Sequence, residues 1–233
     1  MRPQGFSHVV IATAHTHVLG EFFAALGWRS LTVDLMPEAL SFWGVEQSEN
    51  PAMRWIPPSK ACEVLLLPTP QEVPVLRPID CAVTTPGGLF DINMRTVDSD
   101  WSHDFLQSHG WQSLVDPVAW RFGDVETKEG LYIQADGIVL AVMERLQPPL
   151  PTVAFDRMSD VFNATQMVRS VDQTTAFLNY LGFERFIHHQ GPLPGEGPKV
   201  LQLEQRPADT GDIHLAILHP AGCMEGSLEL VEV

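Results

Sequence analysis

Three stretches of the chain share one pattern of apolar and polar positions. They are FSHVVIATAHTHVLGEFFAALGWRSLTVD from Phe6 to Asp34, FDINMRTVDSDWSHDFLQSHGWQSLVDP from Phe90 to Pro117, and FNATQMVRSVDQTTAFLNYLGFERFIHH from Phe162 to His189. Each opens on a short run that is apolar at alternate positions, the period of a half-buried strand. A small or polar group follows, then an amphipathic helix, a Gly-aromatic pair and a second strand. His15, Thr16, Asp98, Ser99 and Asp172 lie where a helix start needs oxygen acceptors or favourable charge. Ala176, Phe177, Tyr180 and Leu181 are spaced to form one apolar helix face in the third stretch. Gly27, Gly110 and Gly182 sit where a left-handed residue ends each helix, and Trp28, Trp111 and Phe183 open the returning strand. One such match is within reach of chance, but three in register are a repeat.

Further strands are expected after each opening unit. In the first copy they are Ala39–Val45, Met53–Ile56 and Glu63–Leu67. In the second they are Val118–Phe122, Gly130–Gln134 and Ile138–Glu144, with Asp136-Gly137 as a hairpin turn. In the third they are Lys199–Leu203, Ile213–Leu218 and Ser227–Val233. One helix and about four strands per copy give a βαβββ module, so the fold class is α+β, with tandem modules forming curved, cupped mixed sheets. Proline-rich connectors, PTPQEVPVLRP from Pro68 and QPPLPTVAF from Gln147, separate the copies. The expected division is residues 1–150 as paired copies 1 and 2 (about 5–70 and 88–146), and residues 156–233 as a third module of an incomplete second domain. A lone module leaves open strand edges. A homodimer or a missing fourth module is therefore expected, and a chain stopping inside its last strand reads as a fragment.

Composition narrows the function classes. The 233 residues are 45% hydrophobic and 18% charged, as in a globular chain. A net charge of −15 argues against a nucleic-acid surface, which needs clustered Lys and Arg. Cys62, Cys81 and Cys223 form no CxxC pair or disulfide framework, so a reducing cytoplasm is the expected compartment. The start is a poor signal peptide, and no apolar run reaches the roughly 18 residues of a membrane span. No Walker loop, GxSxG elbow or HExxH helix occurs.

The order strand, helix, Gly-aromatic, three strands, above all in FNATQMVRSVDQTTAFLNYLGFERF, resembles the vicinal oxygen chelate superfamily. That superfamily includes glyoxalase I, bleomycin-resistance proteins and extradiol dioxygenases, and the chain looks like a multi-module, bacterial-type member. The resemblance implies a cupped sheet made when two modules pair. It also implies, in metal-dependent members, His or Glu ligands on the first and last strands of each module. An ion so held leaves positions open to polarise the oxygens of a substrate.

Carried onto this sequence, the first-strand position is His8 in copy 1, Asp91 or Asn93 in copy 2, and Thr165, or Asn163 and Met167, in copy 3. The last-strand position is Glu229 in copy 3 and Ala141 in copy 2; in copy 1 it is Glu63, or Leu65 if the frame shifts by two residues. The resemblance thus offers His8, Glu63 and Glu229 as ligands of Fe, Mn, Ni or Zn, with Glu229 also catalytic. His214 alternates with Ala216 and Leu218; it is a further ligand pointing toward Glu229 if it faces the concave side, or else a hydrogen-bonded histidine at the edge of the core. Trp43, Trp55 and Trp120 on later strands, with Asn163, are the candidate substrate contacts in an aromatic-lined cup, with core packing the alternative for the tryptophans. His188 and His189, adjacent on a strand, point to opposite faces. His15 and His17 read as solvated residues of a helix start or as a metal pair, and His103 and His109 as exposed. Glu126, Glu129 and Glu144 read as charges on a wet strand face or as a source of a general base. The leading expectation is a glyoxalase- or dioxygenase-like enzyme, a metal-dependent lyase/isomerase or ring-cleaving dioxygenase, acting on a small oxygenated organic molecule. The alternative is a metal-free small-molecule binding protein of the bleomycin-resistance kind.

Overall fold

The computed structural model describes residues 5–42, 50–70, 85–151, 153–201, 212–220 and 223–232. Copy 1 comprises β1 (His8–Thr13), α1 (Thr16–Ala25), β2 (Arg29–Val33), α2 (Pro37–Phe42), β3 (Ala52–Ile56) and β4 (Glu63–Pro68). Copy 2 comprises β5 (Asp91–Thr96), α3 (Ser99–Ser108), β6 (Gln112–Phe122), β7 (Val125–Ile133) and β8 (Val139–Gln147). Copy 3 comprises β9 (Met158–Met167), α4 (Val171–Leu181), β10 (Phe183–Gly191), α5 (Gly197–Val200), β11 (Ile213–Pro220) and β12 (Ser227–Glu232). Each copy is the expected βαβββ module.

The helix ends follow the local chemistry. Asp98 accepts a hydrogen bond from Trp101 N and so caps α3, and Ser170 accepts one from Gln173 N and caps α4. Gly182 ends α4 at φ 99°, a conformation that an L side chain strains to adopt. Two expected strands are helical instead: α2 replaces most of Ala39–Val45, and α5 occupies the start of Lys199–Leu203. In both cases a proline at or near the first helical position, Pro37 or Pro198, favours a helix start where apolar alternation alone suggested a strand. Trp43 lies outside the described residues. The apolar face expected for α4 is also corrected. Val171, Thr175 and Leu178 are its buried residues, while Phe177, Tyr180 and Leu181 are exposed.

In every copy the first strand pairs in parallel with the last, β1 with β4, β5 with β8 and β9 with β12. The copies differ in what covers the other edge of that first strand. Copy 1 forms a separate four-stranded sheet, ordered β1-β4-β3-β2, with β1 at its edge. Copies 2 and 3 join through antiparallel pairing of β5 with β9 into one eight-stranded sheet, β10-β11-β12-β9-β5-β8-β7-β6. Strand pairing thus joins copies 2 and 3. Their facing strands are buried along both faces, which suits a sheet interior: all six β5 residues are buried, whereas β1 alternates exposed and buried.

Copies 1 and 2 meet through their helices. Phe22 of α1 lies 6.0 Å, ring to ring, from Phe105 of α3, and 5.4 Å from Trp111. One core cluster runs from Val9, Phe23 and Leu66 of copy 1 to Met94, Leu106 and Leu140 of copy 2. A second, including Leu131, Ala141, Met167 and Leu215, lies across the concave side of the large sheet. A third joins α4 to the outer face of β11 and β12 through Val171, Leu178, Ala216 and Leu230.

Phe22 is 1% exposed at the seam between two copies, so truncation leaves a cavity that neither copy can fill. Phe22→Ala is expected to lower unfolding stability by about 3–5 kcal/mol. A shift of the chemical-denaturation midpoint reads this out, and a loss below about 1 kcal/mol would show that α1 and α3 do not support one another.

Candidate functional site

The β5–β9 seam decides where the site lies. The large sheet curves around a cavity of about 160 Å³ lined from both paired copies. Trp120 and Phe122 of copy 2 and Phe162 and Phe186 of copy 3 supply its aromatic walls. Helix α5 closes one side: Val200 lines the cavity, and a Cβ on Gly197 would stand 3.2 Å from the Trp120 ring. That close approach explains a glycine at position 197.

Within these apolar walls stands a set of polar groups. Glu129 comes from β7 and Glu229 from β12, and both line the cavity together with Arg145 and His219. Trp120 Nε1 donates to Glu129 Oε2 at 2.9 Å. Burial pushes the Glu129 carboxyl up to about 7, although the Trp120 bond works against it, and the negative charge of Asp91 adds to the rise. Glu229 goes up to about 8, through burial first and then repulsion from Asp91 and Glu129. Two neighbouring acids in an apolar cup cannot both ionise cheaply, so near neutral pH Glu229 is held mostly protonated. Burial holds the His219 imidazole below its ordinary value, and its ring stacks on Phe186 at 4.1 Å. Its Nε2 is buried with no hydrogen-bond partner among the described residues.

A buried network lies along the seam beside these acids. Asn93 Nδ2 lies 2.7 Å from Asp91 Oδ1 and 3.2 Å from both Asn163 Oδ1 and Thr165 Oγ1. Asn163 in turn donates to Ser227 Oγ at 2.7 Å. Arg95 packs over the Phe162 ring at 3.7 Å and reaches Glu225 at 3.5 Å.

Strand register defines the positions at which the resembled superfamily carries metal ligands. His8 stands beside Glu63, Asn93 beside Ala141, and Thr165 beside Glu229. Inside the cup, therefore, one of four such positions is a carboxylate. Ala141 has no donor atom, and the other two carry an amide and a hydroxyl already committed to the seam network. This donor set does not fit the superfamily's divalent ion.

The other residues expected at one metal centre are dispersed. His8 Nε2 and Glu63 Oε2 form a pair at 3.1 Å in copy 1, where Arg54 Nε is 2.9 Å from the same carboxylate oxygen. His214 lies on the opposite face of its sheet from Glu229. Leu215, Ile217 and His219 point into the cup, so His214, Ala216 and Leu218 face outward, a parity that the sequence alternation could not assign to a side. Trp120 and Asn163 line the cavity. Trp55 packs in the core of copy 1, its ring 5.9 Å from that of Phe23. His188 and His189 do face apart, the former toward His214 and the latter toward Phe122. Among the described residues, Asp172, His188 and His214 form a group able to hold a metal ion.

In the sequence Glu129 is a wet-face charge or a general base, and nothing there distinguishes His219. Alternation along β7 and β11 places each on one face, but only the curvature of the paired sheet makes that face a cavity. Glu144, grouped with Glu129 at first, instead accepts hydrogen bonds from Ser99 N at 3.0 Å and Ser99 Oγ at 2.8 Å, at the start of α3.

No family model matches the sequence, and no curated protein matches it either. Solved structures do resemble the fold. Glyoxalase I from Zea mays is 14% identical, with a TM-score of 0.61 over 97% of this chain and 66% of that one. A putative dioxygenase from Bacillus subtilis is 14% identical, with a TM-score of 0.59 over 98% of this chain and 64% of that one. The chain therefore has the vicinal oxygen chelate fold and spans about two thirds of the length of these proteins. No helix among the described residues is long and apolar enough to cross a membrane.

The raised carboxyls carry a consequence for stability. Their ordinary value is 4.5, against about 7 for Glu129 and about 8 for Glu229 when folded. Between those limits the folded state binds more protons than the unfolded chain, so stability falls as pH rises through this window. Glu229→Gln removes the charge and keeps the shape. Its melting temperature is expected to fall less than that of the wild type between acidic and alkaline pH. After allowance for partial access through the cavity, the difference is on the order of 1 kcal/mol, or about 2–4 °C. Parallel melting curves across the whole range would contradict the assignment.

Proposed function

We propose that the copy 2–copy 3 cup binds a small, largely apolar oxygenated molecule and that Glu229 exchanges a proton with it. The observation that supports this reading is the placement of Glu229 and Glu129, with raised proton affinities, among aromatic walls in one cavity. A carboxyl poised near neutral pH is suited to general acid–base work, because it both gives and takes a proton at working pH. While neutral, it donates a hydrogen bond to a ligand carbonyl or hydroxyl oxygen. Arg145, which has no ion-pair partner among the described residues, stands in the same cavity and complements a carboxylate or developing enolate. The unpartnered Nε2 of His219 offers a further polar contact. The chemistry these groups support is proton transfer at a carbon next to a carbonyl, an isomerase- or lyase-type step, carried by this chain's own residues.

A second reading is sequestration without turnover. It is favoured by Ala141 and by the committed amides of Asn93 and Asn163, which leave the cup without the ligand set of a metal-dependent catalyst. In either reading Trp120 and the aromatic walls recognise the apolar body of the ligand.

Deuterium incorporation from heavy water separates the two. Aryl-substituted hydroxyketones serve as probes, followed by NMR, with tryptophan fluorescence reporting occupancy. The acid–base reading expects exchange next to the carbonyl, falling about 10²–10⁴-fold in Glu229→Gln while binding persists. Binding with no exchange supports sequestration. Exchange that is unchanged in Glu229→Gln removes the role assigned to that residue.

A further inference from the structure

On the outer face of copy 3, away from the cup, two imidazoles meet head to head. His188 Nε2 of β10 lies 2.8 Å from His214 Nε2 of β11. The strand register explains the meeting. His188 pairs with Ala216 and Gln190 with His214, so the two histidines are diagonal neighbours on one face. Asp172, in the first turn of α4, brings Oδ1 to 3.9 Å from His214 Nε2, and all three ligand atoms lie within 4.8 Å of one another. Two facing Nε2 atoms cannot both carry protons at this separation. One ring must present a lone pair to the other, or both must present lone pairs to a shared cation.

The surroundings of His214 favour the cation. Its Nδ1 is 3.5 Å from Glu232 Oε2, and that oxygen accepts a hydrogen bond from Val171 N at 2.8 Å. A carboxylate on the far nitrogen of a histidine fixes the tautomer that leaves Nε2 free to ligate and raises its basicity. Glu232 is the positional counterpart of Glu144, which likewise holds the start of its own copy's helix, at Ser99. Only in copy 3 does that carboxylate also meet a histidine among the described residues.

We infer that Asp172, His188 and His214 bind a divalent transition-metal ion of the zinc class. Imidazole nitrogens with one carboxylate suit Zn²⁺, Co²⁺, Ni²⁺ and Cu²⁺. Tetrahedral bonds of about 2.0–2.2 Å place neighbouring donor atoms roughly 3.3–3.5 Å apart. The observed separations of 2.8 and 3.9 Å lie on either side of that value. Small side-chain rotations complete three protein ligands, and the exposed side of the cluster leaves the fourth position to water. Such an ion would tie the start of α4 to β10 and β11. The opposite face of β11 carries Leu215, Ile217 and His219 in the cup wall, so the ion would also stiffen that wall. This site shares no residue with the cup or with the His8–Glu63 pair.

The test uses the full chain stripped with a chelator and titrated with Co²⁺, followed by visible d–d absorption, with Zn²⁺ competition and melting temperature as further readouts. One strongly held ion per chain is expected, with a rise in melting temperature by mass action. His188→Ala, His214→Ala and Asp172→Asn each weaken binding by more than tenfold. Glu232→Gln weakens it about 10–100-fold through loss of the orienting contact. Glu229→Gln and His8→Ala leave it unchanged. Circular dichroism confirms folding of each variant. Failure to bind Co²⁺ or Zn²⁺, or binding that survives loss of both histidines, overturns the inference. Loss of binding in Glu229→Gln or His8→Ala with the cluster intact would move the ion to the cup or to copy 1.

Discussion

The backbone hydrogen bonds between β5 and β9 organise the large sheet. Each of these strands is already paired in parallel with the last strand of its own copy, so joining them places both in the sheet interior. Interior strands need both faces covered. The outer face of β5 is met by the core shared with copy 1, while the inner face bends around the cavity. That pairing brings residues from separate modules, Glu129 and Glu229 among them, within electrostatic reach of one another. Their proton affinities are properties of the seam rather than of either module.

The same pairing accounts for the polar row at the base of the cup. Asp91, Asn93, Asn163, Thr165 and Ser227 are buried in the middle of a sheet, where an unsatisfied polar group costs on the order of 1–3 kcal/mol. Hydrogen bonds link them to each other across the seam. Such a network rewards one register of β5 against β9, since a slip by one residue would turn its members toward the helices.

The repeat, its helix ends and each of the twelve strands were legible in the sequence, because those features are local. Gly27, Gly110 and Gly182 each announce a backbone conformation that does not depend on distant contacts. What the sequence could not show was which copies join. Both connectors are rich in proline, and β1 carries no obvious mark that its edge stays apart from the edges that unite β5 and β9. For the same reason His214 and Glu229 looked like partners. Each alternates correctly along its own strand, but which face is concave depends on the neighbouring copy. Glu129 resembles an ordinary wet-face residue because a charge on a strand usually faces water, and here the curled sheet replaces water with Trp120 and its neighbours. Ala141 and Glu229 do stand where the resemblance puts them, beside Asn93 and Thr165, since those places depend only on pairing within a module.

Strand β11 has work on both of its faces, with His214 toward α4 and His219 toward the cavity. Substitutions can alter either face separately. An insertion or deletion of one residue within the strand cannot, because it would turn the outward histidine inward while driving the cup residues beneath the helix. Natural variants of this chain should therefore keep the length of β11 fixed even where its side chains drift, and changes in length should gather in the segments before and after it.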